Sequence, residues 1–239
     1  MGSFDHRLSI IIPVLGEAER ITALVDALCD QQSDGRCEII VVDGDPDGGT
    51  IQVIHHRDVI SVVSPKGRAR QMNAGAALAQ GENLLFLHAD TRLPDGAFNR
   101  ISTVLAQKQY VAGAFDLGID SDRWALKVVA CFASLRSRIT RIPYGDQAIF
   151  MRKDYFTDIG GYQDIPLMED VELMHRIKKR GERIAILSDR VSTSPRRWER
   201  EGIIYCTLRD WVLATLYSLG VSPDRLARFY RSGGDVYRS

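Results

Sequence analysis

Acidic side chains follow three apolar segments of the sequence, at the point where each segment ends. Glu17 comes just after the first segment, Asp43 follows the second, and His88 and Asp90 follow the third. If these groups converge, the carboxylates repel one another unless a cation or a hydrogen-bonding group lies between them. A divalent cation, a nucleobase or a ribose fills that role, so the spacing predicts a ligand site where the three segments end.

The cluster around Asp43 also fits two simpler interpretations. The aspartates of residues 43–48 match the opening of an EF-hand calcium loop. The twelfth position of that loop should then be a glutamate, and here it is Ile54. Asp, Pro and Gly are also ordinary turn formers, so a purely structural turn stays open at this point.

A second acidic pair, Glu169 and Asp170, opens a helical pattern further along the chain. A carboxylate within hydrogen-bond reach of a hydroxyl can accept its proton while the oxygen attacks. Acids in the first turn of a helix also compensate the helix dipole. From these two residues alone, the catalytic and the structural use both stay open.

The elements that must position these groups alternate between strand and helix. Residues 8–14, 38–42, 59–64 and 83–87 are apolar and rich in β-branched side chains, as in strands covered on both faces. Helical patterns lie between them, at residues 21–28 and 69–79. This order predicts an α/β fold with an open, mostly parallel sheet, whose ligands bind beyond the carboxyl ends of the strands. The less regular second half has a strand candidate at 111–116 and helices at 124–140, 169–180 and, in two parts, 202–230.

Composition and charge limit the partners and the setting. The 239 residues carry 31 lysines and arginines against 31 aspartates and glutamates, so no excess positive field is present for holding nucleic acid. The four cysteines show no C-x-x-C spacing, and the first residues lack an apolar leader pattern. No apolar run approaches the ~20 residues that span a bilayer. We therefore expect a cytoplasmic protein without a nucleic-acid partner.

Six short segments, in this order and spacing, resemble glycosyltransferase family 2. They lie at residues 10–17, 41–45, 68–75, 81–90, 160–162 and 169–170. The resemblance covers about residues 8–200 and implies the GT-A fold, an open, mostly parallel sheet flanked by helices. Residues 1–200 would then form the GT-A domain, and residues 201–239 a C-terminal helical extension packed on it.

The resemblance implies a site for a nucleoside-diphosphate sugar, with a UDP-sugar favoured. Asp43 takes the place of the acid that hydrogen-bonds the base, while Arg68 and Arg70 lie where guanidinium groups suit phosphates or base edges. Arg197 belongs to a basic and aromatic segment that closes over the donor phosphates, with a solvated basic patch as its simpler interpretation. The complete set of implied donor residues is Pro13, Glu17, Asp43, Arg68, Arg70, Asp90, Arg197 and Trp198.

The implied metal site departs from the family pattern. His88 and Asp90 occupy the place of a D-x-D motif, whose last acid binds the metal that bridges the diphosphate. The first acid of the motif is replaced by His88. Asp90 suits Mg²⁺ or Mn²⁺, whereas a coordinating histidine favours Mn²⁺. Packing at the strand end is the alternative role for His88.

Together with the resemblance, these residues predict an inverting transfer of the sugar to an acceptor hydroxyl. Asp170 is the implied general base, with Glu169 as the next candidate, and residues 145–147 sit where the family lines the acceptor side. A nucleotidyltransferase is one alternative, but it normally has a Gly-rich loop and a lysine where residues 16–19 are acidic here. A non-catalytic sugar-nucleotide binder is the other alternative, and only His88 favours it.

The C-terminal segment carries a broad apolar pattern. Residues 203–219 supply most of its large side chains, and they are punctuated by arginines such as Arg200, Arg209 and Arg225. A stripe of this width most often packs into a core or a homodimer. The sharper hypothesis is peripheral docking at the inner face of a membrane, which would suit a lipid-linked acceptor.

Overall fold

The computed structural model describes residues 8–31 and 37–232. Its β-strands are β1 (Leu8–Val14), β2 (Cys37–Asp43), β3 (Val59–Val63), β4 (Asn83–Phe86), β5 (Thr91–Arg92), β6 (Ala112–Asp116), β7 (Phe150–Arg152), β8 (Ile184–Arg190) and β9 (Ser192–Thr193). Its α-helices are α1 (Ala18–Asp30), α2 (Arg68–Leu78), α3 (Ala97–Leu105), α4 (Trp124–Thr140), α5 (Lys153–Asp158), α6 (Glu169–Lys179), α7 (Arg196–Glu201), α8 (Ile203–Ser218) and α9 (Pro223–Ser232). Short 3₁₀ helices lie at Ile51–Val53 and Gly145–Gln147.

One seven-stranded sheet forms the centre of the structure, in the order β3-β2-β1-β4-β7-β6-β8. β1 to β4 run parallel, β7 is antiparallel to both of its neighbours, and β8 is parallel to β6. The predicted α/β class with an open, mostly parallel sheet is therefore confirmed. β7 was not predicted, because three residues are too few to show a strand periodicity. A second sheet pairs β5 with β9 in antiparallel fashion.

The central sheet is covered on both faces. Every residue of β1 and β2 is buried, which explains why these strands read as nearly continuous apolar runs. One apolar cluster lies between the sheet and helices α1 and α3, and another lies between the sheet and helices α2, α5 and α6. This layering leaves the carboxyl ends of the strands as the edge at which a ligand can approach.

Helix α2 holds the ends of β1 and β2 in place. Nε2 of Gln71 donates to the backbone carbonyls of Val14 at 2.7 Å and Val42 at 2.8 Å. A Cβ atom at Gly75 would lie 2.5 Å from Cγ2 of Ile11, so the close approach of α2 to β1 requires glycine there. The two strand ends that carry the first acidic clusters are therefore fixed relative to each other.

Helices α7, α8 and α9 form the C-terminal part of the described chain. Leu126 of α4 packs with Trp198 and Cys206, and α8 packs against α9 around Leu213. The two C-terminal helices of the sequence pattern correspond to α8 and α9, whereas the domain boundary at residue 200 falls inside α7 and stays a prediction. Residues 233–239 of the predicted extension lie outside the described residues. Within the described ranges, no helix combines the length and apolar character needed to cross a membrane.

Candidate functional site

The carboxyl ends of β1, β2 and β4 form one edge of the sheet. β1 pairs in parallel with both other strands, and its last residue, Val14, lies opposite Asp43. β4 ends at Phe86, so His88 and Asp90 follow directly beyond the same edge. The three acidic segments of the first half of the chain therefore lie along one rim of the sheet, where a single ligand can contact more than one of them.

Asp43 is buried, and its carboxylate is engaged by its own loop. Oδ1 accepts the backbone N–H of Asp45 at 3.0 Å, and Oδ2 accepts those of Thr50 and Ile51 at 2.9 and 3.3 Å. Three charge-assisted hydrogen bonds fix the path of residues 44–51. The carboxylate thus shapes the loop after β2, and its contact with a nucleobase stays a prediction.

Glu17 joins the loop after β1 to two distant parts of the chain. Its carboxylate accepts hydrogen bonds from Arg20 at 3.1 Å and from Arg196 at 2.9 Å. Its backbone N–H donates to the hydroxyl of Thr50 at 3.1 Å. The pair with Arg196 brings the basic start of α7 to the strand edge. Pro13, the other residue predicted here, is buried within β1, and both donor contacts stay predictions.

The two arginines predicted on α2 point to different places. Nε of Arg68 lies 2.8 Å from Oε1 of Glu169, which is buried. Arg70 is exposed and pairs with Asp164, also at 2.8 Å. Arg68 therefore links α2 to the start of α6 beside the strand edge, whereas Arg70 is engaged on the surface. The structure favours Arg68 for a donor contact, and both assignments stay predictions.

The Gly-Gly-Tyr segment that precedes α6 is fixed by side chains from two helices. Tyr162 exchanges two hydrogen bonds with the Asn73 side chain, at 2.8 and 2.9 Å. Gly161 has a φ of +64°, and a Cβ atom there would lie 2.7 Å from Oδ1 of Asn73, so both the conformation and the space require glycine. Arg176 of α6 donates to the carbonyls of Ile159 and Gly161 at 2.6 Å each. The turn thereby sets the position at which α6 begins.

Asp170 is held across the gap between α6 and the 3₁₀ helix Gly145–Gln147. Its Oδ2 accepts the backbone N–H of Gly145 at 2.6 Å, and its Oδ1 accepts that of Val171 at 2.7 Å. Met168, two residues earlier, has a φ of +69°, a left-handed conformation that is strained for a residue with a side chain. Strain of this kind clusters at functional sites. The geometry therefore supports a functional use of the start of α6.

Glu169 has different surroundings from its neighbour Asp170. Burial raises the pKa of the Glu169 carboxyl, and the Arg68 guanidinium acts in the opposite direction. Because Nε of Arg68 lies 2.8 Å from Oε1 of Glu169, this carboxylate is already engaged in an ion pair. In the part of the chain that the structure describes, Asp170 forms no ion pair with a lysine or arginine. Asp170 is therefore the better placed of the two predicted bases.

His88, which follows β4, lies next to Gly145 from the second half of the chain. A Cβ atom at Gly145 would lie 2.8 Å from Nε2 of His88 and 3.5 Å from Oδ2 of Asp170. His88 and Asp170 therefore both lie next to Gly145. Burial lowers the pKa of His88 to about 4, and the guanidinium groups of Arg68 and Arg197 lower it as well. The imidazole is thus neutral near pH 7, which is the form that binds metal ions.

Asp90 has the least engaged carboxylate at this edge. Its Oδ1 accepts a hydrogen bond from the hydroxyl of Thr91 at 3.5 Å. The described residues contain no ready-made group of three or more His, Cys, Asp or Glu ligands. A cation held through a diphosphate needs only one or two protein ligands, since phosphate and water oxygens complete its shell. Asp90, with the neutral His88 two residues away, fits a Mg²⁺ or Mn²⁺ ion held in that way.

Arg136 was not predicted as a site residue, and Asp146 was predicted only as part of residues 145–147 on the acceptor side. Burial raises the pKa of Asp146 to about 6, while Arg197 and Arg136 act in the opposite direction and Asp170 adds to the rise. The Arg136 guanidinium stacks on the ring of Tyr144, 3.3 Å from its centroid. The family resemblance placed residues 145–147 on the acceptor side, but no signal in the sequence pointed to Arg136 of α4.

Asp210 is a second acid that the sequence analysis missed. It comes from α8, beyond the segment that the resemblance covers, and its Oδ2 lies 2.6 Å from Nη2 of Arg197. Burial raises the pKa of Asp210, and the nearby Arg197 and Arg209 oppose this rise. Its sequence signal is an acid within an otherwise apolar helix, because a buried carboxylate requires a partner. Through Arg197, helix α8 contributes to the same site.

Trp198 is turned into the protein. It is 5 % exposed and packs with Leu126 and Cys206 between α4 and α8. Its indole Nε1 is buried, and no hydrogen-bond partner for it occurs among the described residues. The structure favours a packing role for Trp198, and its contact with the donor stays a prediction. Its neighbours Arg196 and Arg197 are the members of the basic and aromatic segment that reach the site, at Glu17 and near His88 respectively.

Comparisons with known proteins agree with this architecture. The family model described as Glycosyl transferase family 2 matches residues 9–159, from β1 to α5. The mannosyltransferase PcManGT from Pyrobaculum calidifontis, in complex with GDP-Man and Mn²⁺, has a similar fold, with a TM-score of 0.68 at 19 % sequence identity. The match covers 91 % of this chain and 66 % of that one, so this chain spans slightly less than two thirds of the mannosyltransferase. No curated protein matches the chain in sequence.

Proposed function

The chain belongs to glycosyltransferase family 2, and from this membership we propose that it transfers a sugar from a nucleoside-diphosphate sugar to an acceptor hydroxyl. The observation that carries the proposal is the contact around Gly145. There His88, from the edge that would hold the donor, and Asp170, from the segment that would face the acceptor, both lie next to the same residue. Direct transfer requires that the groups acting on donor and acceptor lie within reach of each other.

Asp170 is the general base of an inverting transfer in this proposal. The backbone N–H groups of Gly145 and Val171 hold its carboxylate in place. An acceptor hydroxyl within hydrogen-bond reach transfers its proton to this carboxylate while its oxygen attacks the anomeric carbon. A single displacement from the face opposite the leaving diphosphate inverts that carbon. Glu169 orients Arg68 through their ion pair instead of accepting the proton.

Cationic groups balance the charge that develops on the leaving diphosphate. A Mn²⁺ or Mg²⁺ ion held by Asp90, with His88 as the second candidate ligand, would supply Lewis-acid stabilisation of that charge. The Mn²⁺ of the similar mannosyltransferase complex supports the choice of a divalent ion. Arg68 and Arg197 are candidates to share this role, because both lie close enough to His88 to lower its pKa.

Two nucleotides are candidates for the donor. The resemblance of the sequence motifs favours a UDP-sugar, whereas the similar mannosyltransferase was solved with GDP-Man. The loop of residues 43–51 is the part of the site next to the position of the base. Its shape is set by Asp43, so the edges that it offers to uracil or guanine are largely fixed before the donor binds.

A panel of UDP-sugars and GDP-sugars with Mn²⁺ tests the proposal. One nucleotide class is expected to raise the melting temperature, and the same class is expected to release free nucleoside diphosphate on incubation. Protein with the divalent ion removed by a chelator is the control for metal dependence. Binding without release of nucleotide under any condition would support a non-catalytic binder, which the replacement of an acid by His88 favours. Release of pyrophosphate from a nucleoside triphosphate would support a nucleotidyltransferase instead.

A further inference from the structure

Helix α4 carries large apolar side chains on the side that faces away from the core. They are spaced three or four residues apart and form one stripe: Trp124, Val128, Phe132, Leu135 and Ile139. Trp124 and Ile139 are 76 % and 74 % exposed. The packed side of the helix is the opposite one, with Leu126 and Ala130. A helix at the surface of a protein normally has charged residues on its outer side, so this stripe needs an explanation.

Helix α8 repeats this pattern and adjoins α4. The two helices contact each other through Leu126 and Cys206. The exposed apolar residues at the outer side of α8 include Ile204, Leu208, Trp211 and Val212. Arg209 and Asp210, the charged residues of α8, are instead engaged in ion pairs within the protein. The outer sides of these two adjoining helices are both apolar and uncharged, and we term the two stripes together the α4–α8 surface.

The charges around the α4–α8 surface are mostly positive. From residue 123 to residue 145 the chain has no aspartate or glutamate, and its basic residues there are Arg123, Lys127, Arg136, Arg138 and Arg141. Arg123, Lys127 and Arg141 are exposed along or at the ends of α4, and α9 adds the exposed Arg225 and Arg228. The exposed acids next to them are fewer: Asp122, which lies 3.8 Å from Lys127, and Asp224. An apolar surface flanked by cations is complementary to anionic headgroups that overlie acyl chains. Tryptophan is also favoured at that boundary, because its ring is apolar and its N–H is polar.

We propose that the α4–α8 surface docks on a bilayer that contains anionic lipids. A second copy of the chain fits less well, because a two-fold contact would set the same cationic helix against itself. The docking is shallow, with the apolar stripes at headgroup depth, as for other interfacial helices. Asp210, on the inner side of α8, holds Arg197 of the candidate site, while Trp211 lies on the outer side. The site is therefore about one helix diameter, ~10 Å, from the docked surface.

Flotation with lipid vesicles tests this docking. Vesicles of phosphatidylcholine alone are compared with vesicles of equal parts phosphatidylcholine and phosphatidylglycerol. The protein is expected to float with the anionic vesicles and to be partly released at about 1 M salt, where charges are screened over a few ångströms. Phe132→Glu and Trp211→Glu are each expected to lower the vesicle-bound fraction about tenfold or more, because each removes apolar contact and adds a negative charge.

Leu78→Glu on α2 is the matched control for these variants. Leu78 is 44 % exposed, close to the 45 % of Trp211, but it lies outside the α4–α8 surface, so this variant is expected to float like the unmodified protein. Unmodified protein that stays in the soluble fraction with both kinds of vesicle would overturn the proposal. Glutamate variants on α4 and α8 that float normally would overturn it as well, since binding would then use another surface.

Light scattering without vesicles tests whether a second copy of the chain covers the α4–α8 surface instead of a bilayer. A dimer that Phe132→Glu dissociates would assign the α4–α8 surface to a second copy of the chain and overturn the proposal. Nucleotide release measured without vesicles reports on the proposed function alone. Phe132→Glu is expected to leave that release unchanged, so a failure of docking and a failure of catalysis give different results.

Discussion

The loops after β2 and β4 carry the same kind of acid at the same edge of the sheet, yet they hold it differently. Asp43 is buried and accepts three backbone N–H groups, whereas Asp90 is partly exposed and accepts one long hydrogen bond from Thr91. A carboxylate has about four acceptor positions, so Asp43 has little capacity left and Asp90 has most of it. Both acids lie at a strand end, so we expect the one with spare acceptor capacity, Asp90, to bind the cation.

Asp90→Asn is expected to have the largest effect. An amide is a much poorer ligand for a hard cation, so Mn²⁺-dependent binding of the nucleoside diphosphate should be lost, while the melting temperature stays close to that of the unmodified protein. Titration calorimetry with and without Mn²⁺ measures this loss. His88→Ala is expected to weaken the same binding less. Unchanged Mn²⁺-dependent affinity in the Asp90 variant would contradict the assignment of Asp90 as a metal ligand, and with it the difference between the two loops.

Asp170→Asn tests the acid at the start of α6, in the second half of the chain. Turnover is expected to fall about 10²-fold or more, because proton transfer is lost, while donor affinity stays nearly intact. Steady-state rates and calorimetric donor binding separate these two quantities. Glu169→Gln serves as the comparison, since it removes a carboxylate that is paired with Arg68. Full turnover in the Asp170 variant would move the base elsewhere, with Glu169 as the next candidate.

Asp43→Asn is expected to affect stability and leave metal dependence alone. The amide NH₂ would face a backbone N–H of the loop, which leaves a buried donor unsatisfied and costs about 1–3 kcal/mol of unfolding free energy. Denaturant unfolding measures this difference. Asp47→Asn is the matched control, because Asp47 is an exposed member of the same loop. Loss of Mn²⁺-dependent binding without loss of stability would show that Asp43 acts like Asp90.

The smallest expected effect concerns the pH dependence of stability in the metal-free protein. The pKa of Asp146 is raised from 3.8 to about 6, so its contribution to stability is lost as the pH rises through that range. The pKa of His88 is lowered from 6.5 to about 4, so its contribution is lost as the pH falls through nearly the same range. The two effects oppose each other in the unmodified chain.

Removing one of these two groups should therefore expose the effect of the other. In Asp146→Asn, the melting temperature is expected to fall more steeply from pH 6.5 to pH 4 than in the unmodified protein, because only the His88 effect remains. In His88→Gln, the fall on acidification should be shallower or reversed. Thermal melts followed by circular dichroism at several pH values measure both slopes. Parallel melting curves for all three proteins would mean that the fold shifts the pKa of neither group.

The first half of the fold could be predicted further than the second. Residues 8–14 and 38–42 show strands covered on both faces, and the structure has β1 and β2 there, wholly buried. The antiparallel β7 and its position between β4 and β6 had no comparable signal. A strand of three residues leaves no periodic pattern, and the order of strands in a sheet is a pairing between segments distant in sequence.

In the candidate site, too, residues in local motifs could be predicted, whereas residues that depend on contacts between distant segments could not. Asp90 and Asp170 could be predicted as site residues because each lies in a short motif at the end or start of an element, and both roles stay predictions. Asp210 was missed, since its partner Arg197 lies 13 residues earlier, on a different helix. Trp198 was assigned to the donor from the family resemblance of its segment, and this contact stays a prediction. Tertiary packing places the Trp198 side chain between α4 and α8. The type of a residue and its neighbours in sequence do not state which way its side chain turns.

By itself, the sequence determined that this chain forms an open α/β sheet with acids at its strand ends, because strand-length apolar runs, helical spacing and turn residues are local signals. Only the tertiary structure decided that Asp43 is satisfied by its loop while Asp90 keeps its acceptor capacity. Only it showed that the outer stripe of α4 is uncovered, since a helix that is apolar on both sides has the sequence of a buried one. Burial and hydrogen bonding depend on which groups the fold brings within a few ångströms, and that proximity arises between segments far apart in the chain.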